Sequence, residues 1–208
     1  MSGDAHLVRG EAELRRIYSE PSRGVREKAI DHIDDFAKRF IALSPFLCIG
    51  TSRPDDLADV SPRGGEPGFV EVLDSKQLAL PDRPGNNRLD TLTNLIRAPA
   101  VGLLFVIPGF DDILRINGTA SISIDPELLQ RFAVNGRTPR SVLVISVAEV
   151  YRHCSKALRR SDLWNPAKHI DPQSLPSWGE MLREQKRTIL PARLIDFALR
   201  QDAKRNLY

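Results

Sequence analysis

Short apolar or alternating runs crowd the middle of this chain, at positions 46–51, 57–61, 69–73, 77–80, 101–107, 113–124 and 141–151. Gly, Pro, Asp or Asn punctuate most of them, the mark of strands joined by turns. One predicted helix interrupts the series at 87–98, with Leu89, Leu92, Leu95 and Ile96 inward and Pro99 as its stop. A second begins at Asp125-Pro126-Glu127, where an acidic cap precedes Pro in the first turn. A parallel doubly wound sheet needs a crossover helix between most strands. Six or more short strands with so few helices between them fit a small antiparallel barrel instead.

Helices are expected at both ends of the chain. Residues 11–19 read as a short one ended by Pro21. Ser22 then caps a longer one, 23–43, with Ile30, Ile33, Phe36, Ala37, Phe40 and Ile41 on one face. Further helices are expected at 155–161, 178–185 and 192–206, with a proline-bearing loop at 162–177. The whole reads as one domain over 1–208: N-terminal helices to 43, a barrel over 44–153 and a helical segment from 154. At 41% hydrophobic residues, a chain of this length can build one substantial core. A net charge of +3 from 30 basic and 27 acidic residues argues against a nucleic-acid surface. Cys48 and Cys154 are the two cysteines, too few for a disulfide framework and without CxxC spacing. No apolar run approaches a membrane span and the first residues lack the apolar core of a secretion signal, so a cytoplasmic protein is expected.

Two segments carry chemistry. Ser61-Pro62-Arg63-Gly64 ends one strand, and Leu80-Pro81-Asp82-Arg83-Pro84-Gly85-Asn86-Asn87-Arg88 turns from another strand into a helix. Together they offer guanidinium groups, a hydroxyl, side-chain amides and a helix start. Those groups suit a phosphate, because a guanidinium makes paired, charge-assisted hydrogen bonds and a helix N-terminus adds free N–H groups. The plainer reading makes Arg63 and Arg88 surface ion-pair partners, Asn86 or Asn87 a helix cap, and Pro62 an edge-strand proline. Asp90 reads as structural, since a carboxylate repels a phosphate. Arg115 and Asn117 share one strand face, solvated or lining a site. His153 and Cys154 point apart as neighbours in an extended chain, which argues against a thiol hydrolase. The histidines at 6, 32, 153 and 169 lack metal-ligand spacing.

The order of these elements resembles the FMN-binding split-barrel family related to pyridoxamine 5′-phosphate oxidase. The resemblance rests on Ala58-Asp59-Val60-Ser61-Pro62-Arg63-Gly64, on 78–88, on 99–105 and 114–120, and on His153-Cys154-Ser155-Lys156-Ala157-Leu158-Arg159 with Trp164. It implies an α+β fold, a six-stranded antiparallel split β-barrel with peripheral helices, paired as a homodimer with FMN at the interface. It also implies that Ser61, Arg63, Asn86, Asn87 and Arg88 face the cofactor phosphate. The backbone of Val60 to Pro62 and of Leu80, Pro81 and Asp82 would follow the flavin ring, and Lys156 and Arg159 would reach it from the second subunit. The implied activity is two-electron transfer through flavin N5 to a small-molecule substrate, with no nucleic-acid or membrane partner. Within the same fold, a flavin carrier without turnover, or a deazaflavin or haem protein, is the alternative. Vitamin B6 oxidases of the family hold substrate through an Arg-x-His pattern near the C-terminus, and positions 199–208 lack it.

Overall fold

The computed structural model describes residues 6–55 and 57–205. In chain order the elements are α1 (Glu11–Ile17), α2 (Arg23–Arg26), α3 (Asp35–Leu43), β1 (Phe46–Ser52), β2 (Ala58–Gly64), β3 (Glu71–Asp74), β4 (Gln77–Pro81) and α4 (Asp90–Arg97). Then come β5 (Ala100–Val106), β6 (Ile113–Ser123), α5 (Pro126–Arg131), β7 (Val142–His153), α6 (Lys156–Ser161), α7 (Trp178–Lys186) and α8 (Ala192–Arg205). Asn206, the expected end of the last helix, lies outside the described residues.

All seven strands join one antiparallel sheet in the order β2-β1-β5-β6-β7-β4-β3. The fold is therefore the expected α+β antiparallel split barrel, with seven paired strands in place of six. Side chains alternate across each strand, and the inward set fuses into a single cluster. Leu47 and Ile49 of β1, Leu103 and Phe105 of β5, Leu114 and Ile116 of β6, Leu143 and Ile145 of β7, and Leu78 and Leu80 of β4 all belong to it. Strands so far apart in the order share one core only because the sheet curls. Each large side chain so buried contributes about 1.5–3 kcal/mol of transfer free energy. Ala37, Phe40 and Ile41 of α3 close one side of this core.

A bulge between Asn117 and Gly118 shifts the β6–β7 register. Glycine is required there, because a Cβ would overlap the Ser146 carbonyl of the neighbouring strand.

The long helix expected over 23–43 is broken. Ile30 bridges Val150 and Ile33 donates its N–H to the Ser75 carbonyl, so this stretch is spent on tertiary pairing. Asp34, not Ser22, caps the helix that covers the core, accepting from the Ala37 N–H at 2.8 Å. The helix expected over 87–98 starts later, at Asp90, after Leu89 in a left-handed conformation with φ 60°. Leu89 and Ile96, expected inward, are exposed, Ile96 at 77%. Thr91 and Asn94 are buried in their place, and the next subsection gives their partners. No helix among the described residues is long and apolar enough to cross a membrane.

Candidate functional site

The topology places β1 and β2 in one half of the sheet and β3 and β4 at the other end, with α4 crossing between them. Curling then brings β2 and the turn after β4 to a common seam. The Thr91 hydroxyl of α4 lies 3.3 Å from that of Ser61 in β2, and the Asn94 side-chain amide donates to the Thr51 hydroxyl of β1 at 3.0 Å. Thus α4 is fixed to β1 and β2 by polar contacts, which explains why its inward face is not wholly apolar.

The turn is tied at its start to the segment leading into β7. Asp82 donates its N–H to the Ser141 carbonyl at 2.9 Å, and Arg83 donates Nη1 to the Phe132 carbonyl at 2.8 Å. Asn86 Oδ1 accepts from the Arg88 N–H at 3.0 Å, an Asx turn that precedes the helix and does not cap it. Asn87 sits at φ 56°, a region that asparagine tolerates better than most residues.

Between these elements lies a cavity of about 910 Å³. Of the residues expected to form a site, Val60, Ser61, Pro62, Arg63, Asp82, Asn86, Asn87 and Arg88 all line it. Leu80 and Pro81 do not. Leu80 is a core residue at 1% exposure, and both pair in the ladder with Leu143 and Val142 of β7. Lys156 and Arg159 lie on α6, and Arg159 pairs with Asp111 at 3.1 Å outside this cavity. Pro62 is on an edge strand, as the plainer reading had it, and also on the cavity wall.

The cavity holds further residues that sequence reasoning missed. Arg137, Thr138 and Arg140 enter from the loop between α5 and β7, and Asp59 and Asp202 enter from β2 and α8. A five-residue loop carrying two arginines, Gly136-Arg137-Thr138-Pro139-Arg140, was the available signal. The cations are not equivalent. Arg88 Nε is engaged by Asp90 at 2.8 Å and its side chain is 72% exposed, whereas Arg63 donates one long bond, 3.4 Å, to the Pro62 carbonyl. Arg140 Nη1 lies 3.4 Å from Asn87 Oδ1. Burial raises the Asp82 carboxyl above its ordinary value, opposed by the positive charges of Arg63 and Arg140. An arrangement with guanidinium groups, side-chain amides and hydroxyls on facing walls can grip an anionic oxygen cluster from two sides.

Arg115 and Asn117 are elsewhere. Arg115 pairs with Glu149 at 2.6 Å and stacks over Tyr151, while Asn117 donates to the same carboxylate at 3.0 Å. His153 follows on β7, its imidazole held below the usual value first by burial and then by Arg115, with Glu149 opposing. Trp164 Nε1 donates to the Phe110 carbonyl, and Trp164 does not line this cavity. No group of three or more potential metal ligands occurs among the described residues.

The structure is thus an antiparallel split barrel whose seam holds a cavity lined by both arginines and aspartates. Over residues 33–154 it matches the family model described as Pyridoxamine 5'-phosphate oxidase, more than half of its length, and the chain belongs to that family. Among solved structures it is similar to HupZ of Group A Streptococcus, at 15% identity over 58% of this chain and 93% of that one, with a TM-score of 0.48. General Stress Protein 26 of Bacillus anthracis gives 19% identity over 55% and 92%, with a TM-score of 0.43. The conserved hypothetical protein Rv2991 of Mycobacterium tuberculosis gives 19% over 70% and 97%, with 0.45. No curated protein matches the chain.

Proposed function

We propose that this chain binds FMN in the seam cavity and works as an FMN-dependent oxidoreductase, paired as a homodimer in the cytoplasm. The reading is carried by one observation: Val60 to Arg63 and Asp82 to Arg88, distant in sequence, meet on one cavity with Arg140 beside them. The donor set fits the cofactor. Arg63 and Arg140 would hold the phosphate from opposite walls, with Ser61, Thr138 and the Asn87 amide supplying neutral hydrogen bonds and Arg88 a weaker charge contact. Bound FMN supplies two-electron transfer through its N5. What the protein adds is orientation and charge; among the described residues lining the cavity there is no histidine or cysteine. Asp82 lies in the field of Arg63 and Arg140, and its carboxylate limits how much anionic charge the cavity accepts at neutral pH. A second copy of the chain would bring Lys156 and Arg159 to the outer rim. Cys48 and Cys154 are free thiols, as a reducing compartment requires.

Mass spectrometry of the ligand released on denaturing the purified protein tests this reading. FMN at a stoichiometry near one per chain supports it. A colourless preparation that takes up no FMN from excess overturns it. Anaerobic reduction of the bound flavin by NADH or NADPH then separates an oxidoreductase from a carrier.

A further inference from the structure

Asp59 is a seam residue whose surroundings leave its side chain incomplete. Its Oδ2 is buried and meets no hydrogen-bond partner among the described residues. Its neighbour across the ladder, Thr51, accepts from the Asn94 amide and makes no hydrogen bond to Asp59 Oδ2. Asp59 also stands where two hollows join. It lines the main cavity and, with Val60, a second trough of about 450 Å³ on the outer face of β1, β5 and β6. The floor of that trough is bare backbone at Gly50 and Gly102, which face each other across the β1–β5 ladder. A Cβ at Gly102 would press to 3.3 Å on Asn117 Oδ1, so the floor stays flat. The seam is therefore polarised, with guanidinium groups of Arg63 and Arg140 toward one side and a carboxylate oxygen without a donor at the mouth of a flat trough.

A buried carboxylate oxygen without a donor is costly in the empty protein, and a donor brought by a ligand removes that cost. An anionic end would be repelled from Asp59 and attracted to the arginines. We propose that Asp59 accepts a hydrogen bond from an N–H or O–H on the body of the ligand, and so fixes which way round the ligand lies. The ligand class is then an elongated one, phosphorylated at one end and donor-bearing along a polyol or planar body, rather than a bare phosphate or a dicarboxylate. This deepens the FMN reading and rests on it: the ribityl hydroxyls and the ring imide N–H are such donors.

The test titrates FMN and riboflavin, which keeps those donors and lacks the phosphate, against the wild-type protein and the D59N, D59A and R63A variants. Loss of a hydrogen bond to a charged acceptor should weaken both flavins about tenfold or more in D59A, and by the same factor for each. R63A should weaken FMN and leave riboflavin unchanged. Without ligand, D59N should melt no lower than wild type, because Oδ2 has no hydrogen bond to lose, whereas a carboxylate serving only the fold would lower the melting temperature. Wild-type affinity for both flavins in D59N and D59A overturns the assignment of Asp59 while leaving the FMN reading intact. Failure of the wild-type protein to bind either flavin overturns both.

Discussion

Arg63 and Arg88, the two arginines expected to face the phosphate, should differ sharply when each is replaced by alanine. Arg63 is half-buried, donates one long bond to the Pro62 carbonyl at 3.4 Å, and faces the cavity beside Asp82. Its guanidinium is thus available to an incoming phosphate. A charge-assisted hydrogen bond of this kind contributes about 1.5–3 kcal/mol, so R63A should weaken FMN binding roughly 10- to 150-fold. Arg88 is 72% exposed and already held by Asp90 at 2.8 Å, so it must exchange one partner for another in water. Exposed pairs contribute about 0–1 kcal/mol, and R88A should cost no more than about fivefold. Quenching of FMN fluorescence on titration, at low and at physiological salt, measures both. Salt should shrink the smaller effect more, because exposed charges are screened first. Neither variant should change the melting temperature of the ligand-free protein by more than a degree or two. FMN affinity within twofold of wild type in R63A, or a larger loss in R88A than in R63A, would refute the phosphate assignment.

Asp82→Asn tests the acid of the cavity. Its folded-state carboxyl titrates above the ordinary 3.8, so the charged form costs stability at pH values above the folded value, and this cost disappears below 3.8 where both states are protonated. D82N should therefore raise the melting temperature at pH 7 and tighten FMN, with the thermal gain vanishing in a scan down to pH 3. For His153 the direction is opposite: its folded value lies below 6.5, so its contribution is intact above pH 6.5 and is lost as pH falls through the folded value. A melting-temperature profile between pH 7.5 and 5 should fall less steeply for H153Q than for wild type; equal slopes would remove His153 from the account. Gly118→Ala forces a methyl into the Ser146 carbonyl and should cost roughly 1–3 kcal/mol or more, seen as a drop of about 2–4 °C per kcal/mol in thermal unfolding. A normal melting temperature would mean that the bulge yields.

Strands were legible because they are short apolar or alternating runs, most of them bounded by turn residues. The first helices were not. Ile30 and Ile33 fit a 3.6-residue period with Phe36 and Phe40, but the backbone at Ile30 is taken by Val150 of β7, a partner far away in the chain. Periodicity cannot see such competition. Asn86 and Asn87 suggested a helix start, since an Asx turn and an N-cap use the same side-chain oxygen on the same kind of N–H, and here the turn won. In α4 the apolar positions Leu89 and Ile96 seemed the natural inner face, yet the helix lies against the hydroxyls of Ser61 and Thr51 and turns Thr91 and Asn94 toward them. The site motifs were readable where they follow strands. Arg137, Arg140 and Asp59 were not, because a loop cation or an edge-strand acid has a meaning only once the seam brings its counterpart near.

That seam has a mechanical corollary. Its two lips come from opposite halves of the sheet order, and a molecule gripping Arg63 on one and Asn87 or Arg140 on the other acts as a clasp. Prising the lips apart would release the guest, and departure of the guest would leave the lips to the α4 contacts, Thr91 with Ser61 and Asn94 with Thr51. At a hundredfold excess over its dissociation constant, a bound guest adds about 2.7 kcal/mol against any opening that expels it. Amide exchange along Ala58–Gly64 should slow accordingly when the clasp is closed, so breathing of this barrel and retention of its guest are one equilibrium.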